Sequence, residues 1–225
     1  IKLALKNMID QYPSLIKRSN NKINYNIHFL DRSKGNNKKV LQLSGGKSDG
    51  EGIGKLLNLI NIYKKRFKKY HGWETPKNPV ILLTDNDEGV KTLFTQIKNQ
   101  FEKDIKIDSD DDFFPIFKNL YLIKTPHIDQ KTETCIEDLF NQEQLKSFNY
   151  NGKFFPKEKK GLFNNSEHYG KKILATKMLP QKFSDVDFTG FKPLLDRLQK
   201  VIVDYKSKNS QPSRSVLIQN SIKQK

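Results

Sequence analysis

The stretch NPVILLTDNDEGV, residues 78–90, joins a run of aliphatic side chains directly to a cluster of acids. Val80 to Leu83 form an unbroken apolar run of strand length, which is typical of a central parallel strand that is covered on both faces. Asp85 and Asp87 follow one residue apart, and Gly89 comes next. Because ligands of parallel α/β sheets bind beyond the carboxyl ends of the strands, this position predicts a binding site.

The two aspartates are suited to holding a metal ion. Carboxylates this close repel each other unless a cation lies between them, and alternate residues of an extended segment can point to the same side. All-oxygen ligands favour a hard ion, Mg²⁺ or Mn²⁺, which keeps waters and substrate phosphates in its shell. The alternative is an ordinary acidic turn in which one acid caps the next helix. A cap needs only one acid, whereas this segment supplies Asp85, Asp87 and Glu88.

Other metal and nucleotide motifs do not fit the sequence. An EF-hand loop that began at Asp85 would need glycine and glutamate where the chain has Val90 and Gln96. A haloacid-dehalogenase phosphatase would need Thr or Val where the chain has Gly89. The glycine-rich segment 44–54 matches neither the dinucleotide-binding motif nor a P-loop. It is either a flexible turn or a place where backbone approaches a phosphate or metal closely.

The composition indicates a basic, globular protein. Lys and Arg total 41 against 25 Asp and Glu in 225 residues, a net charge of +16. This excess favours a polyanionic partner, although lysine-rich genomes also yield basic proteins that have none. Cys135 is the single cysteine, which excludes an internal disulfide and fits a reducing cytoplasm. No apolar run approaches the roughly 20 residues that cross a bilayer, so we expect a soluble protein without a membrane segment.

The hydrophobic pattern predicts helices that alternate with strands. The order of strand, helix and strand around the acidic pair suggests a crossover within a mostly parallel sheet. The first residues form an amphipathic helix without an initial Met, from which we expect the chain to be part of a longer polypeptide. The predicted strands are residues 23–30, 39–43, 79–84 and 119–126, and the predicted helices are residues 2–11, 55–70, 87–103, 134–148, 171–179 and 190–206.

Two predicted helices carry features with two interpretations. The helix at residues 55–70 ends in a basic cluster, which either complements the helix dipole or contacts nucleic acid. The helix at residues 134–148 begins with Thr134, and Glu137 has the spacing of a capping box. The basic cluster comprises Lys64, Lys65, Arg66, Lys68 and Lys69.

Several segments together resemble a known family. The strand that ends in LLTDNDEG, with the SGG loop before it and CIEDLF after it, resembles a TOPRIM domain. More narrowly, LALKNMIDQYPSLI, CIEDLF, HYGKKILA and DFTGFKPLLDRL together resemble the C-terminal TOPRIM region that is fused to some bacterial retron reverse transcriptases. TOPRIM is the Mg²⁺-binding catalytic module of topoisomerases, primases and certain nucleases. The resemblance implies an α/β, Rossmann-like fold with a mostly parallel sheet flanked by helices and a mainly helical C-terminal extension. It implies a TOPRIM-like domain at residues 1–148, a family-specific extension at 149–206 and a loose tail at 207–225.

The resemblance also implies a function. The chain would be the Mg²⁺- or Mn²⁺-dependent nuclease effector of a retron anti-phage defence system in the bacterial cytoplasm, cleaving phosphodiester bonds of DNA or RNA. Its partners would be nucleic acid and a reverse transcriptase, an RNA-directed DNA polymerase in the same polypeptide, and a homo-oligomer is compatible with this reading. The alternative is a non-catalytic module that docks on the RNA/DNA hybrid of the retron.

The resemblance assigns roles to particular residues. The TOPRIM aspartate pair carries over to Asp85 and Asp87 as metal ligands and catalytic residues. Glu137 of the IED segment, with Asp138 beside it, resembles the acid that lets nuclease-type TOPRIM domains hold a second metal ion. The resemblance makes Glu137 a third catalytic residue, and its capping role stays open. The family's first motif, a glutamate that ends a strand, has no counterpart in this chain. The candidates for contact with nucleic acid are Lys171, Lys172, Lys64, Lys65, Arg66 and Lys68.

Overall fold

The structure is a computed structural model that describes residues 1–30, 53–71, 76–156 and 164–210. The strand predicted at residues 39–43 lies outside the described residues. The glycine-rich segment 44–54 and the predicted tail 207–225 lie mostly outside them.

The described elements alternate between helix and strand, as predicted, and form two compact units. Helices 2–11 and 134–148 are each split, since a 3-10 helix takes up part of each range. The elements are α1 (Lys2–Asn7), a 3-10 helix (Ile9–Gln11), β1 (Ile16–Ser19), β2 (Lys22–Tyr25), α2 (Ile53–His71), β3 (Val80–Thr84), a 3-10 helix (Glu88–Val90), α3 (Lys91–Phe101), β4 (Phe114–Phe117), β5 (Leu120–Lys124), a 3-10 helix (Ile136–Leu139), α4 (Gln142–Ser147), β6 (Asn149–Tyr150), β7 (Lys153–Phe154), α5 (Lys171–Ile173), a π-helix (Leu174–Met178), α6 (Leu179–Gln181), a 3-10 helix (Thr189–Phe191) and α7 (Lys192–Ser210).

The two units interleave along the chain. The first unit comprises Ile1–His28 and Thr125–Asp196, and the second comprises Phe29–Lys124 and the chain from Arg197 onward. The family resemblance implies boundaries at residues 148 and 206, which follow segments of the sequence. The compact units are defined by packing and do not test these boundaries, which stay a prediction.

The sheet of the second unit has the order β3-β5-β4. Strands β3 and β5 are parallel, with Thr84 opposite Lys124 at the last register position. Strand β4 pairs antiparallel with β5. The chain is therefore a mixed α/β protein, as predicted, but this described sheet contains one parallel and one antiparallel pair. The antiparallel strand was not predicted, because Phe114–Phe117 is short and contains Pro115.

The core of the second unit packs α2 and α3 against this sheet. The apolar residues recur at helical spacing on α2 and α3, and both faces of β5 are buried. Burial of each such side chain contributes about 1.5 to 3 kcal/mol relative to leaving it exposed. This packed layer holds the carboxyl end of β3, where the acidic pair lies. The buried cluster comprises Leu59, Ile60, Leu82, Val90, Leu93, Phe94, Ile97, Ile105, Ile116, Leu120 and Leu122.

The first unit contains a hairpin where the sequence predicted one strand. Strands β1 and β2 pair antiparallel around Asn20 and Asn21, whose φ angles are 48° and 58°. Two positive φ angles in a two-residue loop define a type I′ turn, and Asn tolerates this conformation well. The strand predicted at residues 23–30 is therefore observed only at Lys22–Tyr25, because β1, the strand with which it pairs, is four residues long.

The capping box of the first unit differs from the predicted one. The cap residue is Cys135, whose backbone nitrogen donates to Asp138 Oδ2 at 2.7 Å. Thr134 was the expected cap, but its side chain is buried and donates to the carbonyl oxygen of Pro126 at 3.0 Å. The predicted Thr134–Glu137 capping box is therefore wrong, and the observed box, Cys135 with Asp138, lies one residue further along the chain. Thr134 does not cap the helix because its hydroxyl is hydrogen-bonded to the preceding loop at Pro126.

Among the described residues, no helix is both long enough and apolar enough to cross a membrane.

Candidate functional site

Asp85 and Asp87 lie directly after β3, on either side of a buried asparagine. Asp87 has extended backbone, and its Oδ1 accepts a hydrogen bond of 2.9 Å from the backbone nitrogen of Gly89. It therefore caps the 3-10 helix Glu88–Val90, as the alternative interpretation of the acidic pair proposed. A carboxylate has about four lone-pair sites, so this cap leaves acceptor capacity on Asp87.

Asn86 fixes the segment between the two acids. Its side chain is completely buried, and Nδ2 donates to the carbonyl oxygen of Ile107 at 2.9 Å. Successive side chains of an extended segment point to opposite sides. Asn86 is turned inward, and Asp85 and Asp87 on either side of it are both half-buried.

Lys124 ends the neighbouring strand β5 and holds the same loop as Asn86. Its side chain has no exposed surface, and Nζ donates to the carbonyl oxygens of Lys106, Ile107 and Ser109 at 2.5, 3.1 and 2.6 Å. Desolvation, and then the charge of Arg197, lower its pKa to about 8. The carbonyl of Ile107 is thus a shared acceptor that ties the ends of β3 and β5 to the loop at residues 106–109.

Basic side chains of α7 hold the acidic part of this loop. Arg197 is 4% exposed; Nη2 lies 2.5 Å from Asp110 Oδ1, and Nη1 donates to the carbonyl oxygen of Lys124 at 3.1 Å. Lys200 forms an ion pair of 2.5 Å with Asp112. The acidic segment 108–112, which the sequence identified only as a loop, is therefore partly neutralised from within the second unit. Asn86, Lys124 and Arg197 were not predicted, because only the fold reveals their contacts.

The chemistry of the strand end fits a magnesium ion held mainly by water and substrate. Asp85 and Asp87 supply carboxylate oxygens, and the buried hydroxyl of Thr84 makes no hydrogen bond within the described structure. Mg²⁺ in proteins is commonly bound through one or two carboxylates plus waters and phosphates. The described residues contain no group of three or more His, Cys, Asp or Glu side chains arranged to hold a metal ion.

Glu137 and Asp138 belong to the first unit, and both contact lysines. Glu137 Oε2 lies 2.7 Å from Nζ of Lys171, so two residues with separately predicted roles form an ion pair. Asp138 Oδ1 lies 2.8 Å from Nζ of Lys131, while Oδ2 accepts the backbone hydrogen bond of Cys135. Both oxygens of Asp138 thus have structural partners. That Glu137 and Asp138 bind metal stays a prediction.

Cys135 and Gly190 both contact the 3-10 helix Ile136–Leu139, which carries Glu137 and Asp138. The Cys135 thiol is buried, and burial, followed by hydrogen bonds with Glu137 and Asp138, raises its pKa to about 11. The thiol therefore stays protonated at neutral pH and is a poor nucleophile. Gly190 lies so close to the backbone of Leu139 that a Cβ added at Gly190 would be 2.2 Å from the carbonyl oxygen of Leu139. The DFTG segment thus packs directly on the 3-10 helix that carries Glu137.

The remaining basic candidates differ in their contacts. Lys64 donates to the carbonyl oxygen of Gln100 at 2.9 Å, which helps to satisfy the C-terminal end of α3. Lys65 and Lys172 are exposed, and Arg66 is half-buried. The side chain of Lys68 lies outside the described part of the chain. Contact of any of them with nucleic acid stays a prediction.

No family model matches the chain, and no solved structure matches it.

Proposed function

We propose that the chain is a Mg²⁺-dependent nuclease of the TOPRIM type, the effector of a retron anti-phage defence system whose polypeptide also carries a reverse transcriptase. The observation that supports this proposal most is the pair Asp85 and Asp87 at the carboxyl end of β3, beside the parallel strand β5. This is where α/β sheets bind ligands. The family identity and the reverse transcriptase partner rest on the resemblance of the sequence segments.

The roles of the residues follow from their positions. Asp85 and Asp87 would hold the ion, which when bound polarises the scissile phosphate and stabilises the leaving oxygen. Gly89 holds the carboxylate of Asp87 through its backbone nitrogen, and buried Asn86 fixes the backbone between the two acids. Both contacts orient the carboxylates before substrate arrives, which lowers the entropic cost of assembling the site. The net charge of +16 would gather a polyanion.

The test compares acidic variants that lie next to each other. The double variant Asp85→Asn plus Asp87→Asn removes both charges, whereas Glu88→Gln removes a neighbouring charge that pairs with Lys91 at 2.6 Å. We expect the double variant to lose Mn²⁺ binding and to cut labelled DNA and RNA about a thousandfold more slowly, since a bound ion supplies several kcal/mol of transition-state stabilisation. Glu88→Gln should retain both properties.

The proposal would be overturned if the double variant bound Mn²⁺ and cut nucleic acid as well as the parent chain. If Mn²⁺ binding depended on the aspartates but neither protein cut, the site would be a metal site without nuclease activity.

The second candidate function is a non-catalytic module that binds nucleic acid. The ion pair between Glu137 and Lys171 favours it, because a carboxylate that is already neutralised by a lysine is less available to a second metal ion. This candidate predicts that the double variant binds nucleic acid like the parent and that neither protein cuts.

A further inference from the structure

The tip of the β1–β2 hairpin is an exposed, basic ribbon. All six residues from Lys17 to Lys22 are exposed, and they include three cations and two asparagines. The sequence contains no Asp or Glu from residue 11 to residue 30. The charge of this ribbon, which we call the basic hairpin (residues 16–25), is therefore not balanced by its own segment.

The cations of the basic hairpin differ from many other basic residues of the chain. Within the described residues, Lys17, Arg18 and Lys22 form no ion pair. By contrast, an acidic partner within 4.0 Å compensates each of several cations elsewhere. An uncompensated cluster of cations raises the local potential and attracts a polyanion. The compensated cations are Lys91, Lys98, Lys131, Lys171, Arg197 and Lys200.

The register places the hairpin side chains on two distinct faces. Opposite residues share a face, so Lys17 and Asn24 lie on one face together with Ser19 and Lys22. All of these side chains are exposed and polar. The other face begins with buried Ile16 and ends with exposed Arg18, so it anchors the ribbon at one end and offers a cation at the other.

The base of the basic hairpin is held firmly in the first unit. Ile16 is fully buried, the backbone nitrogen of Asn26 donates to the carbonyl oxygen of Leu15 at 2.9 Å, and Tyr25 donates its hydroxyl to the carbonyl oxygen of Lys2 at 3.2 Å. The tip is closed by the type I′ turn at Asn20 and Asn21. A partner would therefore meet a preformed ribbon and would pay little entropy for ordering it.

We infer that the basic hairpin docks tip first in the major groove of double-stranded DNA, with Lys17 and Lys22 of one face and Arg18 of the other on the phosphates that line the groove, and with Asn20 and Asn21 of the turn near the base edges. The major groove of B-DNA admits a two-stranded β-ribbon, and Asn is a side chain that binds adenine with paired hydrogen bonds. The deep, narrow major groove of duplex RNA does not admit a ribbon. The inference rests on the proposed function only in taking nucleic acid as the partner, and it names duplex DNA as the class.

The test measures binding without cleavage. The binding of a labelled DNA duplex is measured by fluorescence anisotropy in EDTA over a series of salt concentrations. The whole chain is compared with the hairpin variant, Lys17→Gln plus Arg18→Gln plus Lys22→Gln. The matched control, Lys77→Gln plus Lys103→Gln plus Lys118→Gln, removes the same charge from exposed positions outside the hairpin. Circular dichroism melting checks that all variants are folded, and Lys17→Arg plus Lys22→Arg should bind like the parent.

We expect the hairpin variant to bind duplex DNA more weakly. The plot of log K against log salt should also become less steep by about 2 to 3, because each lost phosphate contact removes about one released counterion. The control should change the slope by less than half as much. Duplex RNA should bind more weakly than DNA and be less sensitive to the hairpin variant.

Three results would overturn the inference. One is an equal loss in the hairpin and control variants, which would mean that net charge alone drives binding. Another is equal, hairpin-dependent binding of duplex RNA, and the third is hairpin-dependent binding of phosphatidylserine vesicles without binding of DNA. Because EDTA excludes metal catalysis, a failure here leaves the nuclease proposal standing, and a failure of cleavage leaves this inference standing.

Discussion

Nζ of Lys171 lies 2.7 Å from Oε2 of Glu137, and this ion pair joins two residues that are 34 positions apart in the chain. The carboxylate side chain is 14% exposed and the lysine side chain is 63% exposed. Lys171 therefore supplies an internal cation to an acid that the family resemblance makes a metal ligand. Under the proposed function, a metal ion at Glu137 would have to displace this lysine.

The ion pair predicts different effects for two adjacent lysines. Lys171→Met should lower the free energy of unfolding by about 0.2 to 1 kcal/mol, the range for pairs that are partly open to solvent. Lys172→Met, at an exposed position, should change it less. Urea unfolding of both variants, combined with Glu137→Gln in a double-mutant cycle, measures the coupling. A coupling energy of zero between residues 137 and 171 would contradict the ion pair.

The close contact between Gly89 and Asp87 predicts that a side chain at residue 89 would disturb the aspartate pair. An added Cβ would lie 3.0 Å from Asp87 Oδ1, the oxygen that the Gly89 nitrogen holds. Gly89→Ala should therefore push this carboxylate aside and weaken Mn²⁺ binding. Gly170→Ala is the control, because a Cβ there meets no atom within 4 Å. Mn²⁺ titration followed by electron paramagnetic resonance compares the two, and equal affinities would argue against a role of Asp87 in metal binding.

Gly190 predicts a larger loss of stability. A Cβ at this position would meet the backbone carbonyl of Leu139 at 2.2 Å, and a backbone atom cannot move aside as a flexible side chain can. Gly190→Ala should lower the free energy of unfolding by about 2 to 4 kcal/mol, as overpacking against backbone does. It should also expose Cys135 to thiol reagents, since the 3-10 helix that begins after this cysteine must shift. Gly170→Ala should show neither change under the same denaturant and labelling conditions.

Lys124 predicts a pH dependence of stability. Its pKa is about 8 in the folded protein against an ordinary value of 10.5, so between these values the unfolded chain binds more protons than the folded one. The contribution of this group to stability therefore rises with pH from about 8 to 10.5, with a slope of at most about 1.4 kcal/mol per pH unit. Chemical unfolding across this range should show the stability of the parent chain rising relative to Lys124→Met. Parallel curves for the two proteins would contradict a buried, titrating lysine.

Local sequence patterns were enough to identify several elements. The helix predicted at residues 55–70 is observed as α2, Ile53–His71, and the strand predicted at 79–84 is observed as β3, Val80–Thr84. Both depend on apolar periodicity within one segment, which the chain carries wherever it folds. Strand β1 and the Cys135 cap were not predicted, because each depends on a partner in a neighbouring segment.

The sequence by itself determined that a buried strand ends in two acids and that the chain is basic, since these properties follow from the order of the residues. Only the tertiary structure decided which groups meet. Asn86 and Lys124 share the carbonyl of Ile107, and Lys171 pairs with Glu137. The physical reason is that a lysine or an amide can pair with any of many acceptors of similar chemistry. The packing of the strands, helices and loops selects the one that lies within hydrogen-bonding distance.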